Sequence, residues 1–511
     1  MGVVKRQNLL TSEETDENQV KPDSGISEIP SRDRKRLDIT LWLGAGTMLV
    51  VVMFACFVLP QTPGRLARAS AGLIQDLPFW AFLGSLPLLQ DAPAGTVAFL
   101  LIVTAVVAFV IYGLAIFLSW NREASLGSVR FVIGAAFCFF VISMFALPNL
   151  NTDIFNYITR ARVAAVHNSN PHYVPADAFP EDPIYPYASH RFSWIVGDKL
   201  PMWTLISIPI ARIAGDDPVT NLLLFRLVFL LFNVANVAMI VAILRRFNPR
   251  YILAGTLFYS WNPIITVIGQ SKVDTVMATF IILAVLLLLY NHSRFAVVSM
   301  CLSVLVKLVT LPLLAVYWLR DVKLRKWREL SFFLFLGFAT ILVTSVPFWQ
   351  DASMIEHTLG VALGELGAYS AHWGKWISYL GFGFLCIGVG LTQDGTEQNL
   401  FVGWSWILLY VSLVLVPVSY ARYMIVAIAI ASIACDWRVV ALTTAVTFSS
   451  FLFKLWYSTS TRDFSLPELF SFPKSVVFAL PAILILFYIS LVKWKRKVPV
   501  QVASPAFTNQ E

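Results

Sequence analysis

Charge is scarce in this chain: Asp, Glu, Lys and Arg make up 13% of its 511 residues, and 58% are hydrophobic. A soluble domain is about a quarter charged, so a water-soluble globular fold is excluded. Cysteine is scarce as well. Cys56, Cys138, Cys301, Cys386 and Cys435 lie singly within apolar runs, with no CxxC. They read as small core residues, not as disulfides or thiolate metal ligands. There is no Walker A sequence, no GxGxxG, no DxD and no HExxH. Neither a nucleotide-binding domain nor a metal site is indicated, and no cofactor is expected. The ten-residue alternating segments of a membrane β-barrel do not dominate. No internal repeat is visible, which counts against an inverted-repeat transporter.

What the chain has instead is a series of apolar runs of roughly 18–25 residues, each long enough to cross about 30 Å of hydrocarbon as a helix. The expected fold is an all-α polytopic membrane protein with about 12–14 transmembrane helices. The net charge of +8 sits mostly beside these runs. It therefore reads as a topology signal and an attraction to anionic lipid, not to nucleic acid.

Basic clusters place the loops. Residues 1–37 read as a disordered cytoplasmic leader ending in Arg32-Asp33-Arg34-Lys35-Arg36. Residues 38–493 form the multispanning domain, and 494–511 a cytoplasmic tail behind Lys493-Trp494-Lys495-Arg496-Lys497. Both termini are then cytoplasmic. The third span, 130–149, exits and leaves 151–199 as the first large external segment. The apolar stretch 200–214 is short for a crossing and reads as a re-entrant helix. Residues 251–269 and 273–290 read as two crossings with an external loop between them. Residues 295–319 keep the following basic cluster inside only if they form two short helices meeting near Lys307 and Pro312. Such a break is tolerated where it is buried in protein or lines a cavity.

Asp153 is the most informative residue. It stands just past the third span and opens an amphipathic pattern in which Ile154, Tyr157, Ile158, Ala161 and Ala165 share a helical face. A helix cap and a catalytic base are equally compatible with that position. Arg226 lies about two turns into a span, where a charge costs roughly 2.5–3.5 kcal/mol on insertion scales. It must pair, either with a buried carboxylate or with an anionic headgroup such as a lipid phosphate. Lys307 and Lys454 are similar cases. Asp274 precedes an apolar helix and reads as a cap or a site residue.

In order along the chain, these elements resemble the GT-C superfamily of multispanning glycosyltransferases. Within it they are most similar to bacterial polyprenyl-phosphomannose-dependent α-mannopyranosyltransferases. The resemblance rests on Asp153-Ile154-Phe155-Asn156-Tyr157, Arg162, Asn170-Pro171-His172-Tyr173, Pro201-Met202-Trp203, Arg226, Trp261-Asn262-Pro263, Lys272-Val273-Asp274, Lys307 with Pro312, and Trp456-Tyr457. Two departures stand out. His172 interrupts an Asn-Pro-Tyr element, and Gln270-Ser271-Lys272-Val273-Asp274 replaces a Gly-His-Asn-Asp one.

The resemblance implies a GT-C-like bundle with a large external segment after the third span. It implies an inverting membrane enzyme that moves a hexose, mannose by analogy, from a polyprenyl-phosphate donor to a glycan or glycolipid acceptor. Asp153 would be the base, and Arg226 and Lys307 would bind the donor phosphate. Asn156, Tyr157, Arg162, His172, Tyr173, Trp203 and Asp274 would bind substrate. Trp194 and Tyr187 are candidate stacking platforms for a sugar. Two rival readings are a lipid or glycolipid flippase and a polymer ligase with a lipid-pyrophosphate donor, for which His190-Arg191 is the relevant signal.

Overall fold

The computed structural model describes residues 31–58, 94–120, 122, 125–146, 153–188, 193–196, 199–357, 372–415 and 421–459. The span expected at 475–493, the tail, His190 and Arg191 lie outside the described residues, as do the side chains of Trp456 and Tyr457. Among the described residues the chain is helical and without strands.

The first three helices are α1 (Ser31–Met53), α2 (Ala94–Ser119) and α3 (Leu126–Met144). Helix α1 begins at Ser31, so the last residues assigned to the leader are already helical. Next come α4 (Asp153–Ala165), α5 (Pro201–Ala214), α6 (Pro218–Phe247), α7 (Ile252–Ser260) and α8 (Asp274–Leu289). They are followed by α9 (Ser293–Val304), α10 (Leu311–Lys323), α11 (Trp327–Ser345), α12 (His372–Thr392), α13 (Glu397–Tyr410), α14 (Met424–Ala434) and α15 (Trp437–Thr459). Among the described residues, seven helical stretches are long and apolar enough to cross a membrane, or up to eight if the bent α7 pair counts as one.

Helix α6 shows why these boundaries fall where they do. Asp217 caps it by accepting from Thr220 N at 2.7 Å, and Pro218 opens it where a missing N–H costs nothing. Arg245 and Arg246 close it against the negative end of its dipole. Its 30 residues reach about 45 Å, enough to cross a bilayer with room to tilt.

Helix α5 is only 14 residues, about 21 Å, which is short for a crossing, as expected for 200–214. It ends at Gly215 with φ of 64°, a conformation open to glycine. Its start is stitched to a distant break, with Met202 N donating to Leu305 O at 3.0 Å.

The chain breaks in two places that matter for chemistry. Residues 295–319 do form two short helices: α9 ends at Val304, Lys307 is extended (φ −164°, ψ 140°), and α10 begins at Leu311. The second break was not expected, because 251–269 read as one straight crossing. Helix α7 instead stops at Ser260, and the following turns bend away by 50°. Pro263 cannot supply an N–H and clashes with the preceding turn. The Asn262 carboxamide accepts from Ile264 N at 3.0 Å, and the Trp261 indole donates to Val132 O at 2.9 Å, fixing the bend. A wide turn (264–268) and a tight one (Gly269–Ser271) then deliver Lys272 in extended conformation.

Helix α14 is buried along its whole length and packs on α7, α8 and α15. A Cβ on Gly255 of α7 would lie 2.4 Å from Ser432 O. Only glycine permits that approach, which sets how deeply α14 and the residues before it sit.

Candidate active site

Asp153 is the first residue of α4, and its carboxylate is turned to cations rather than to its own backbone. Lys272 Nζ donates to Asp153 Oδ2, and so does Arg422 Nη1, at 2.8 Å. Lys272 comes from the break between α7 and α8. Arg422 comes from the short turn Ala421–Tyr423 that leads into α14. That turn packs on residues 264–268, so the two cations are delivered by touching turns.

Burial alone would push the Asp153 carboxyl up. Lys272 and Arg422, with a further contribution from the charge of Lys454, outweigh it and hold the group well below the usual carboxylate range. The site therefore sets an ionised carboxylate among several basic side chains.

Lys307 extends this positive surface. Its ammonium donates to Tyr423 Oη at 2.9 Å and lies 4.3 Å from the Tyr423 ring centroid. The Arg422 guanidinium sits 5.3 Å from the same centroid. Tyr423 thus joins Lys307 to the Arg422–Asp153 pair.

Arg226 has another set of partners. Its side chain is 2% exposed, and it donates to Ser271 Oγ at 3.2 Å, to Met144 O at 3.1 Å and to Ala146 O. Backbone carbonyls, not a carboxylate, satisfy this intramembrane charge. The side chain ties α6 to the end of α3 and to the turn just before Lys272.

Arg162 is likewise occupied. Its Nε donates to both oxygens of Asp182 at 2.9 Å, Nη2 to Asp216 Oδ1 at 2.7 Å, and Nη1 to Gly215 O. His167 Nε2 is 2.8 Å from Asp182 Oδ2, and Ile184 N donates to Asp182 Oδ1 at 2.9 Å. This network clamps the segment after α4 onto α4 and onto the α5–α6 turn.

Tyr173 accepts from Gln350 N and Asp351 N at 3.1 and 3.0 Å, which holds the stretch behind α11. Asp274 is fully buried at the start of α8 and, among the described residues, neither carboxylate oxygen has a hydrogen-bond partner. Asn156 and Tyr157 are buried on α4 one turn beyond Asp153, and Tyr157 meets Trp203 edge-on at 5.7 Å. His172 and Trp203 line a small cleft together with Arg160 and Lys199. Tyr187 stacks on Phe155 at 5.5 Å, whereas Trp194 is exposed.

Sequence reasoning singled out Asp153 and Lys307 and missed the two cations in contact with the acid. Lys272 had been noted only within a motif, and Arg422 not at all. The available signal was positional: each is a basic residue in a short connection between apolar runs, on the side of the membrane to which charge-based topology assigns Asp153. Among the described residues no three His, Cys, Asp or Glu side chains come together, so they contain no donor set for a metal ion.

No curated protein and no solved structure matches the chain. A family model described as "Alpha-(1->6)-mannopyranosyltransferase, N-terminal domain" matches residues 42–320, more than half of the chain and the part that supplies Asp153, Lys272 and Lys307. The protein is a multi-pass membrane α-mannosyltransferase of the GT-C type, and the chain belongs to the MptA_B family of α-(1→6)-mannopyranosyltransferases.

Proposed function

We propose that the enzyme takes mannose from a polyprenyl-phosphate donor and transfers it, with inversion, to a glycan or glycolipid hydroxyl on the external face. The observation that carries this reading is the Asp153 carboxylate in contact with cations from two separate chain breaks, with no second carboxylate among the described residues that bond those two cations. An acceptor hydroxyl needs one base. A phosphate leaving group needs positive charge rather than an acid, in contrast to the two carboxylates of a glycosidase.

The acceptor oxygen forms the new bond to the anomeric carbon as the bond to the phosphate oxygen breaks. The hydroxyl proton passes to Asp153, and the electron pair leaves with the polyprenyl phosphate. Lys272 and Arg422 stabilise that phosphate, and Lys307 supports them through Tyr423. The role expected of Arg226 passes to these residues, because the donors of Arg226 hold the turn that presents Lys272. In the resting site the cations make Asp153 a weak base. A donor phosphate draws their charge toward itself and so raises the basicity of the carboxylate when the acceptor is in place.

On this reading residues 38–493 are the catalytic domain, flanked by a cytoplasmic leader and tail. The external placement of the site follows from the basic clusters beside the spans. The test uses purified full-length enzyme, an oligomannoside acceptor, and mannose presented on polyprenyl monophosphate or on polyprenyl pyrophosphate. Transfer from the monophosphate alone is expected. Transfer from the pyrophosphate alone would make this a ligase-type donor site. Lipid movement across vesicles without bond formation would make the protein a flippase.

A further inference from the structure

A groove of about 640 Å³ runs between α2 and α15. Its lining recurs at every third or fourth residue from Val106 to Trp120 on α2 and from Trp437 to Phe448 on α15, so each helix contributes one face. The volume is that of a ligand pocket. The α2 wall is about 21 Å long, which exceeds one leaflet of a hydrocarbon core about 30 Å thick. Phe109 meets Phe448 edge-on at 5.1 Å and closes the inner end, while Trp120 and Trp437 frame the open one. Between these aromatic ends lie small residues, Gly113, Ala441 and Ala445. A Cβ on Gly113 would meet nothing within 4 Å. Glycine inside a helix is unfavourable against alanine, and no close approach demands it here. Its effect is to keep the groove open. The Thr444 hydroxyl donates to Val440 O at 2.8 Å within its own helix, so among the described lining residues the walls between the tryptophans hold no unsatisfied polar group. Such a space takes hydrocarbon rather than water.

The open end lies on the membrane face opposite to the catalytic site. Trp120 precedes α3 and Asp153 follows it, so 19 residues of helix, about 28 Å, separate the two. Helix α14 repeats the relationship: it starts beside Arg422 and ends at Ala434, just before Trp437. Tryptophans at such a level mark a membrane interface. Two basic side chains stand there. The Arg438 guanidinium is 6.0 Å from the Trp437 ring centroid. Arg250 is exposed beside Tyr251, whose ring meets Trp120 edge-on at 4.8 Å. Tyr251 lies within reach of the charges of both Arg250 and Asp436. Among the described residues neither guanidinium is in an ion pair. The Asp436 carboxylate is spent on the start of α15, where it accepts from Arg438 N at 2.8 Å and Val439 N at 3.3 Å.

We propose that the groove binds an anionic phospholipid of the leaflet opposite to Asp153, with one acyl chain between α2 and α15 and the phosphate at Arg250 and Arg438. The apolar walls alone would take any chain. The two basic side chains at their open end select a charged headgroup. The glycosyl donor does not suit this place, because its phosphate belongs at Lys272 and Arg422 on the other face. The lipid is a structural ligand that joins α2 to α15, the helix whose Lys454 adds its charge to the field at Asp153.

The test titrates delipidated full-length enzyme in detergent with phosphatidylglycerol or phosphatidylcholine of the same acyl chains, and reads lipid affinity and melting temperature. The wild type should bind phosphatidylglycerol about tenfold or more tightly, the effect of two basic contacts with a headgroup, and should melt higher with it. Gly113→Leu fills the groove and should lose most of the response to both lipids. The double variant Arg250→Gln with Arg438→Gln changes only the mouth. It should keep the response to phosphatidylcholine and bring the affinity ratio toward one. Equal affinities in the wild type, an unchanged ratio in the arginine variant, or wild-type binding in Gly113→Leu overturns the proposal. Displacement of phosphatidylglycerol by polyprenyl phosphate would give the groove to the donor's tail. A thiol crosslink in membranes from Gly113→Cys to a cysteine introduced within residues 475–493 would give it to the last apolar run of this chain. Either result also overturns the proposal.

Discussion

The Arg422 guanidinium donates to the Asp153 carboxylate at 2.8 Å across 269 positions of chain. Lys272 reaches the same oxygen from a different break. Neither cation belongs to the helix that carries the acid. The site is therefore assembled from places where helices stop, which is where backbone can leave the helical path inside a membrane protein.

Replacing Asp153 by Asn should lower transfer by about 10²–10⁴-fold, the usual contribution of a general base. The variant removes the base and keeps the size of the side chain. Radiolabelled mannose transfer in membranes with matched protein levels measures it. Turnover within a few-fold of wild type would remove Asp153 from the mechanism.

Lys272→Met should move the acid limb of the pH profile of kcat/KM upward. In the wild type, Lys272 and Arg422 outweigh burial and hold the Asp153 carboxyl low. With Lys272 gone, burial is opposed only by Arg422 and the charge of Lys454, and the limb should rise by about 1–3 pH units. The variant thus loses activity at a higher pH than the parent as the medium is acidified. An unshifted limb would show that a different group controls it. The same sign governs stability: a depressed carboxyl contributes above its unfolded value and loses that contribution only as pH falls through its folded value.

Arg226 and Arg422 should fail in different ways. Arg226→Met leaves the carbonyls of Met144 and Ala146 unsatisfied in the interior, at a cost of about 1–3 kcal/mol for each. It should lower the melting temperature in detergent more than it raises the KM for donor. Arg422→Gln should raise the donor KM by about tenfold with little change in melting, since its side chain is partly exposed. The opposite assignment would return the phosphate role to Arg226.

Arg162→Gln should loosen the segment that follows α4. It strips a buried guanidinium from Asp182, and breaking one side of such a pair costs about 3–5 kcal/mol. His167 remains on Asp182 and softens the loss. Limited proteolysis between residues 166 and 188 should accelerate, with activity falling in parallel. Normal protease resistance with weakened substrate binding would point instead to direct substrate contact.

Gly255→Ala should destabilise the helix pair behind the site. The added methyl meets Ser432 O at 2.4 Å and Leu244 Cδ1 at 2.5 Å, and the first of these is backbone that cannot swing away. Overpacking of this kind costs about 1–3 kcal/mol. Because α14 starts just after Arg422, donor affinity should drop together with thermal stability.

Much of this was legible from pattern. The broken pair around Lys307 followed from charge parity, because a single helix would have put a basic cluster on the wrong side. The short α5 followed from its length. The bend after Ser260 was not legible, although Asn262-Pro263 was in view: the apolar run continues through it, and hydropathy does not register a change of direction. Arg226 was legible as a costly charge that needed partners. Its partners were not, because they are backbone carbonyls at the end of another helix, and every residue has one.

The sequence by itself determined the solvent, the helical class, the family resemblance and the single acid worth attention. These depend on local composition, hydrophobic run length and motif order, all of which survive in one dimension. Only the tertiary structure decided which cations contact Asp153 and which partners Arg226 and Arg162 hold. Those depend on how chain breaks far apart in sequence meet in space. Electrostatic partnership is a matter of ångströms, and positions 153, 272 and 422 carry no mark of their nearness until the helices between them are packed.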